Sequence, residues 1–220
     1  MFGNNPKRPI LKGDGNNLEV QEIFLTIQGE GPYAGHSALF IRLGGCNLAC
    51  KFCDTEFESF KYMLLSDILK KVTLLNNNNT KLIVITGGEP FRQPIELLCL
   101  ELIKLGYKVQ IETNGTLYRE LPKEVDIVCS PKSSQTGYSN IREDLLTRIN
   151  ALKFIISSSN PKYQMVQEIG QSKFNIPVYI QPMDEYDPVK NKENLEYSLK
   201  LIAQNGYRLS LQMHKIIGVS

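Results

Sequence analysis

The sequence predicts an α/β protein whose parallel sheet curls toward a partial barrel. Short apolar runs recur along its 220 residues, each the length of one strand buried on both faces. A polar loop marked by glycine, proline or serine follows each run. Stretches able to form helices separate them. That β-loop-α repeat, six times over, argues a parallel sheet with one functional rim at the strand C-termini.

In order, residues 1–17 read as a loose arm, since Gly13, Gly15 and paired asparagines favour turns. Leu18–Ile27 alternates apolar and polar residues, as an edge strand would. Gln28-Gly29-Glu30-Gly31-Pro32 follows. It is either a plain turn or a loop whose backbone can approach a ligand. Ser37–Leu43 is a strand with Arg42 near its end. That arginine suits either a bidentate grip on an anion or an ion pair at the strand terminus. Gly44-Gly45 then turns the chain into a cysteine-rich loop.

Lys61–Leu75 carries apolar residues at helical spacing, with Ser66 as candidate N-cap, and the Asn76–Asn79 tract reads as a surface loop. Leu82–Ile85 is the next strand, ended by Thr86-Gly87-Gly88-Glu89-Pro90. A glycine pair there lets main-chain groups meet a ligand. Pro94–Leu105 is a helix ended by Gly106. Later strands are expected at Lys108–Ile111, Val125–Cys129, Leu152–Ile156 and Ile176–Ile180. They end at Glu112-Thr113-Asn114-Gly115, Ser130-Pro131-Lys132, Ser157–Ser159 and Gln181-Pro182-Met183-Asp184 respectively. Ile141–Ile149, Tyr163–Gln171 and Asn191–Asn205 can be helical, and Arg208–Gln212 reads as a last strand before Met213-His214-Lys215. Plain readings stand beside these: Asn114-Gly115 as a turn, Lys132 as a solvated charge, Gln181 as a backbone partner, His214 as a structural histidine.

Bulk properties exclude several classes. With 25 basic and 23 acidic residues the charge is nearly balanced, so no electrostatic footprint for nucleic acid is expected. No apolar run approaches the roughly 18 residues that span a bilayer. The polar stretch 1–17 is not expected to be a secretory leader. Five cysteines, three of them clustered, suit a reducing cytoplasm better than a disulfide framework.

The cluster is Cys46-Asn47-Leu48-Ala49-Cys50-Lys51-Phe52-Cys53-Asp54-Thr55, spaced C-x3-C-x2-C. Three thiolates can hold a four-iron cluster and leave one iron free for substrate. A closed zinc site needs four ligands, usually in paired groups. Only Cys50 and Cys53 form such a pair, and His36 and His214 lie far off. A ferredoxin would need a fourth cysteine. Cys99 and Cys129 sit in apolar runs and read as small buried hydrophobes. Spacing alone leaves these alternatives open.

The spacing, with Phe52 before the third cysteine, closely resembles the radical S-adenosylmethionine (SAM) enzymes. Thr86–Pro90 is similar to their GGEP motif. Nearly the whole chain further resembles one family among them, the 7-carboxy-7-deazaguanine synthases, on Thr26–Gly31, Phe40-Ile41-Arg42, Gly45–Leu48, Cys50, Cys53-Asp54-Thr55, Thr86–Pro90, Glu112–Gly115, Ser130–Lys132, Gln181–Asp184 and Gln212–Lys215. The resemblance implies a single radical SAM domain over 1–220, a partial, trimmed (β/α)6 barrel, with residues 207–220 a tail closing on the rim.

What the resemblance implies about function is specific. The reaction is contraction of 6-carboxy-5,6,7,8-tetrahydropterin to 7-carboxy-7-deazaguanine with loss of ammonia, toward queuosine. Cys46, Cys50 and Cys53 would hold a 4Fe-4S cluster and Thr55 would ligate Mg2+. Ile27, Gln28, Gly29, Glu30, Arg42, Thr86, His214 and the carboxylate of Ser220 would hold the pterin. Gly88, Ser130, Pro131, Lys132, Gln181, Pro182, Met183 and Asp184 would hold SAM. No side chain is assigned to bond breaking, which the SAM-derived radical carries. A reductant such as flavodoxin or ferredoxin, a homodimer and a cytoplasmic location are expected, without membrane or nucleic acid. His36 and Met213 depart from the family, which commonly has proline and threonine there. The alternative is a radical SAM activating enzyme that makes a glycyl radical on a partner protein.

Overall fold

The apolar runs become parallel strands, and the polar breaks after them become loops. The computed structural model describes residues 5–51, 53–76, 79–134, 137–138 and 141–219. They fall into two units, the first from residues 1–28, 36–113 and 117–126, the second from 29–35, 114–116 and 127–220.

The first unit holds β1 (Asn17–Ile27), β2 (Ser37–Leu43), β3 (Lys61–Leu64), α1 (Leu65–Leu75), β4 (Leu82–Gly87), α2 (Glu96–Lys104) and β5 (Lys108–Thr113). Its strands lie in the order β5-β4-β2-β1-β3. β2, β4 and β5 are parallel, whereas β1 runs antiparallel to β2 and β3. Leu82, Ile83, Val84 and Ile85 are all buried, as a run apolar on both faces requires. Register places Ile41, Ile85 and Ile111 on one face and Arg42 with Thr86 on the other. Each fully buried Ile contributes roughly 1.5–3 kcal/mol.

Three expectations are corrected here. β1 is not an edge strand, because Asn17–Val20 pair with Lys61–Leu64. The same pairing takes Lys61–Leu64 out of the expected helix, which starts at Leu65; Leu64 holds the cap position and Ser66 lies inside the first turn. Nor are residues 5–16 a loose arm. The Arg8 amide donates to the Cys46 carbonyl (2.7 Å), the Leu11 amide to the Arg92 carbonyl (2.7 Å), and Arg119 to the Leu11 carbonyl (2.7 Å).

The second unit holds all but the first residue of β6 (Asp126–Cys129), with β7 (Ser133–Ser134), β8 (Gly137–Tyr138), α3 (Glu143–Leu146), β9 (Ile149–Ile156), β10 (Val178–Pro182), α4 (Pro188–Asn205), β11 (Arg208–Leu209) and α5 (Met213–Ile217). Its parallel strands lie in the order β11-β10-β9-β6. α4 starts before the expected Asn191. Asp187 caps it by accepting from the amides of Val189 (2.9 Å) and Lys190 (3.3 Å), with Pro188 in the first turn. The helix expected over Ile141–Ile149 is only Glu143–Leu146, because Ile149 already pairs with Ile127. Tyr163–Gln171 is not an α-helix. Gln171 accepts from the Ile169 amide (2.8 Å) and donates to the Gln167 carbonyl (2.8 Å), local bonds that compete with the helical ladder. The last strand keeps only Arg208–Leu209, and the chain turns into α5.

Candidate active site

The cysteine loop opens from a braced turn in the first unit. The Gly44 amide donates to the Glu19 carbonyl and the Gly45 amide to the Phe57 carbonyl, both at 2.9 Å. The Gly88 amide donates to the Leu43 carbonyl and the Glu89 amide to the Gly45 carbonyl, both at 3.1 Å. A Cβ on Gly88 would run into the Gly45 carbonyl. Gly88 is therefore required for backbone approach before any ligand is considered. Glu89, fully buried, accepts from the Phe91 amide (3.1 Å) and the Thr113 hydroxyl (2.7 Å). Sequence reading missed the rest of this brace. Gln93 donates to the carbonyls of Glu19 (2.9 Å) and Gly44 (3.1 Å), and buried Arg92 pairs with Glu19.

Cys46, Cys50 and Cys53 are all free thiols, Cys46 buried and the other two half-buried. Burial, opposed by the Leu48 amide and helped by Glu89, Cys50 and Cys53, pushes the Cys46 thiol up to about 11. Among the described residues no three His, Cys, Asp or Glu side chains are drawn together closely enough to hold an ion. The donor set still fits a three-thiolate cluster: three reduced sulfurs on one short loop, each able to lose its proton to a bound metal. The Thr55 hydroxyl lies 3.2 Å from Asp54 Oδ1, a pair of hard oxygens of the kind Mg2+ takes. Phe52 lies outside the described residues. Cys99 and Cys129 are fully buried, as expected.

Ile27 ends β1 opposite Ser37, and the Gln28 side chain donates to Glu112 Oε1 (3.2 Å). Arg42 is ion-paired to Glu22 (2.8 Å), with its guanidinium 5.4 Å above the Phe24 ring. Thr86 aligns with Arg42 across β2 and β4.

The second unit gathers most of the other expected residues. Glu30 pairs with Lys153, accepts from Gln212 Nε2 (3.0 Å), and lies 3.4 Å from Gln181 Nε2. Burial pushes the Glu30 carboxyl up, but Lys153, Gln212 and His214 together hold it below its ordinary range. The Met213 amide donates to the Gly29 carbonyl (3.1 Å) and the Gly31 amide to Ser210 Oγ (3.0 Å). A Cβ on Gly29 would strike the His214 ring and sit 3.0 Å from its amide nitrogen. The tail thus closes on the Gly29-Glu30-Gly31 loop. Ser130 Oγ donates to the Lys153 carbonyl (3.0 Å), Pro131 is buried and Lys132 half-buried. Pro182 pairs with Ile156, and the Met183 amide donates to the Ile156 carbonyl (2.7 Å). Asp184 accepts from the Tyr186 amide (3.0 Å), Asn191 (2.8 Å) and Lys215 (3.1 Å). Ser220 lies outside the described residues. Lys153, which no sequence signal singled out, stands at the centre of this group.

The chain matches the model of the radical SAM superfamily over residues 40–129. It is 60% identical to the 7-carboxy-7-deazaguanine synthase of Rickettsia prowazekii (strain Madrid E), over 100% of this chain and 96% of that one. The chain belongs to the 7-carboxy-7-deazaguanine synthase family. A second member, from Rhodospirillum rubrum, is 36% identical over 100% of both chains. The crystal structure of QueE from Escherichia coli is similar in fold, with TM-score 0.71 and 24% identity over 90% of this chain and 95% of that one. The expected fold class, an α/β partial barrel of the radical SAM type, agrees with these findings. Membership of the superfamily implies a 4Fe-4S cluster and SAM. No helix among the described residues is long and apolar enough to cross a membrane.

Proposed function

We propose that the chain is a radical SAM lyase that contracts 6-carboxy-5,6,7,8-tetrahydropterin to 7-carboxy-7-deazaguanine with loss of ammonia, toward queuosine and related deazapurines. The observation that carries this reading is full-length identity of 60% to a 7-carboxy-7-deazaguanine synthase. The glycyl-radical alternative has no counterpart among these relatives.

Bound together, cluster and SAM supply a 5'-deoxyadenosyl radical. The protein's own work is holding, orienting and excluding water. Cys46, Cys50 and Cys53 hold the cluster. Gly88, Ser130, Pro131, Lys132, Gln181, Pro182, Met183 and Asp184 hold SAM. Ile27, Gln28, Gly29, Glu30, Arg42, Thr86 and His214 hold the pterin, with the carboxylate of Ser220. The pterin's guanidine-like edge presents N–H donors, which suit an ionised Glu30 and nearby main-chain carbonyls. Glu30's charge is supported by its pairing with Lys153. The pterin's own carboxylate needs a cation: Arg42 is one, once released from Glu22, and Mg2+ on Thr55 is another. The chain acts as one catalytic domain, as a homodimer in the cytoplasm, reduced by a small flavodoxin- or ferredoxin-like protein.

Anaerobically reconstituted protein with SAM, dithionite, Mg2+ and the tetrahydropterin tests the reading. The product mass and released ammonia should appear together, many turnovers per SAM. Cleavage of SAM without any change in the pterin would sink it.

A further inference from the structure

Lys153 lies on β9 amid the apolar run Ala151-Leu152-Lys153-Phe154, where a lysine is out of place unless paired. It is 6% exposed. Its ammonium meets Glu30, and its carbonyl accepts from Ser130. The groups that bear on the Glu30 carboxylate come from three separate stretches of chain. Lys153 comes from β9, Gln181 from β10, and Gln212 and His214 from the tail. Of these only Lys153 carries a permanent charge at neutral pH. Taking one partner from a buried ion pair leaves the other charge uncompensated.

We propose that Lys153 is a positioning residue for the pterin, holding Glu30 as a fixed, charged acceptor for the guanidine-like edge and tying the tail to it through Gln212. The inference rests on the pterin reading above. Lys153 touches Glu30 rather than the reacting atoms, so its effect falls on substrate affinity and on the pH dependence of that affinity. Without the ammonium, burial drives Glu30 toward its protonated form. A protonated carboxyl loses its charge and turns one acceptor site into an O–H donor, and the N–H edge of the substrate binds it less well.

The test compares wild type, Lys153→Met and Glu30→Gln/Lys153→Met in reconstituted enzyme between about pH 6 and 9. In Lys153→Met the KM for the tetrahydropterin should rise about ten- to a hundredfold at neutral pH, the worth of a hydrogen bond to a charged group. It should climb further as pH falls, while kcat changes little. The neutral double variant removes both charges and so avoids an unpaired buried ion. It should show raised KM without that extra pH step. Unchanged KM in Lys153→Met overturns the proposal. So does loss of stability or kcat with a flat KM profile, which a merely structural lysine would give. If Lys153→Met fails to fold, Lys153→Gln decides: wild-type KM there overturns the proposal, and a raised KM that climbs as pH falls supports it. Wild type that does not turn over the pterin sinks the parent reading instead.

Discussion

Arg92 and Glu19 form a buried ion pair beneath the turn that leads into Cys46. Arg92 is 1% exposed and Glu19 5%. The same guanidinium donates to the carbonyls of Gly44 (2.9 Å) and Pro9 (3.1 Å). Burial, with Arg8 adding like charge, pulls Arg92 down to about 10, so it stays a cation at neutral pH. Arg92→Met leaves Glu19 buried without a counter-charge, at a cost of about 3–5 kcal/mol. Denaturant titration of the apoprotein should show that loss, and reconstituted protein should carry less iron. Glu19→Gln/Arg92→Met should cost less than the single change, because no naked charge remains. Equal stability of Arg92→Met and wild type would refute the brace.

The five cysteines should divide into two classes by experiment. Cys46→Ser, Cys50→Ser and Cys53→Ser should each abolish the brown cluster and SAM cleavage while the chain stays folded. Cys99→Ala and Cys129→Ala should keep iron and activity. They delete a fully buried sulfur, so unfolding free energy should fall by about 1–2 kcal/mol. Iron and sulfide analysis of the purified variants checks the first class, and denaturant midpoints the second. Full iron in Cys50→Ser would mean the cluster is held otherwise.

What the sequence disclosed is what is local. The cysteine loop, the glycine pair at Gly87-Gly88 and the strand Leu82–Ile85 each carry their signal within a few residues. What it concealed depends on partners far along the chain. Lys61–Leu64 continues a helical pattern, and only its pairing with Asn17–Val20 makes it a strand. Arg92 finds Glu19 73 positions away, and Lys153 finds Glu30 123 positions away. A lysine inside an apolar strand offers no periodic clue to its partner. Arg42 shows the opposite failure. Its place at a strand end was legible, but Glu22 as its partner emerges only from the β1–β2 register.

Asp184 should set part of the acid limit of stability. Burial pushes its carboxyl up, and the Tyr186 amide, Asn191 and Lys215 outweigh that, holding it below the ordinary value of 3.8. A carboxyl lowered on folding contributes fully above its unfolded value and loses that contribution as pH falls through the folded one. Wild type should therefore lose stability below about pH 4 more steeply than Asp184→Asn. At neutral pH the variant should be the less stable of the two, and the gap should close on acidification. Urea midpoints measured from neutral to acid pH check this. A gap that stays constant would show that the Asp184 charge contributes nothing.

Gly29 should be intolerant of even a methyl group. Its carbonyl accepts from the Met213 amide at 3.1 Å, and a Cβ there would strike the His214 ring. Gly29→Ala must therefore push α5 and Gln212 off the loop, and Gln212 is one of the donors that fix Glu30. α5 is five residues long and has no buried residue, so the melting temperature should move little. The pterin KM should rise about tenfold, the worth of one displaced hydrogen bond to a charge. Gly29→Ala/His214→Ala tests the origin of the effect. Removing the ring relieves that clash but leaves the His214 amide nitrogen 3.0 Å from the new Cβ. Affinity should therefore recover only in part, and the contribution of the His214 ring is lost as well. Wild-type KM in Gly29→Ala would mean that the tail does not bear on the substrate.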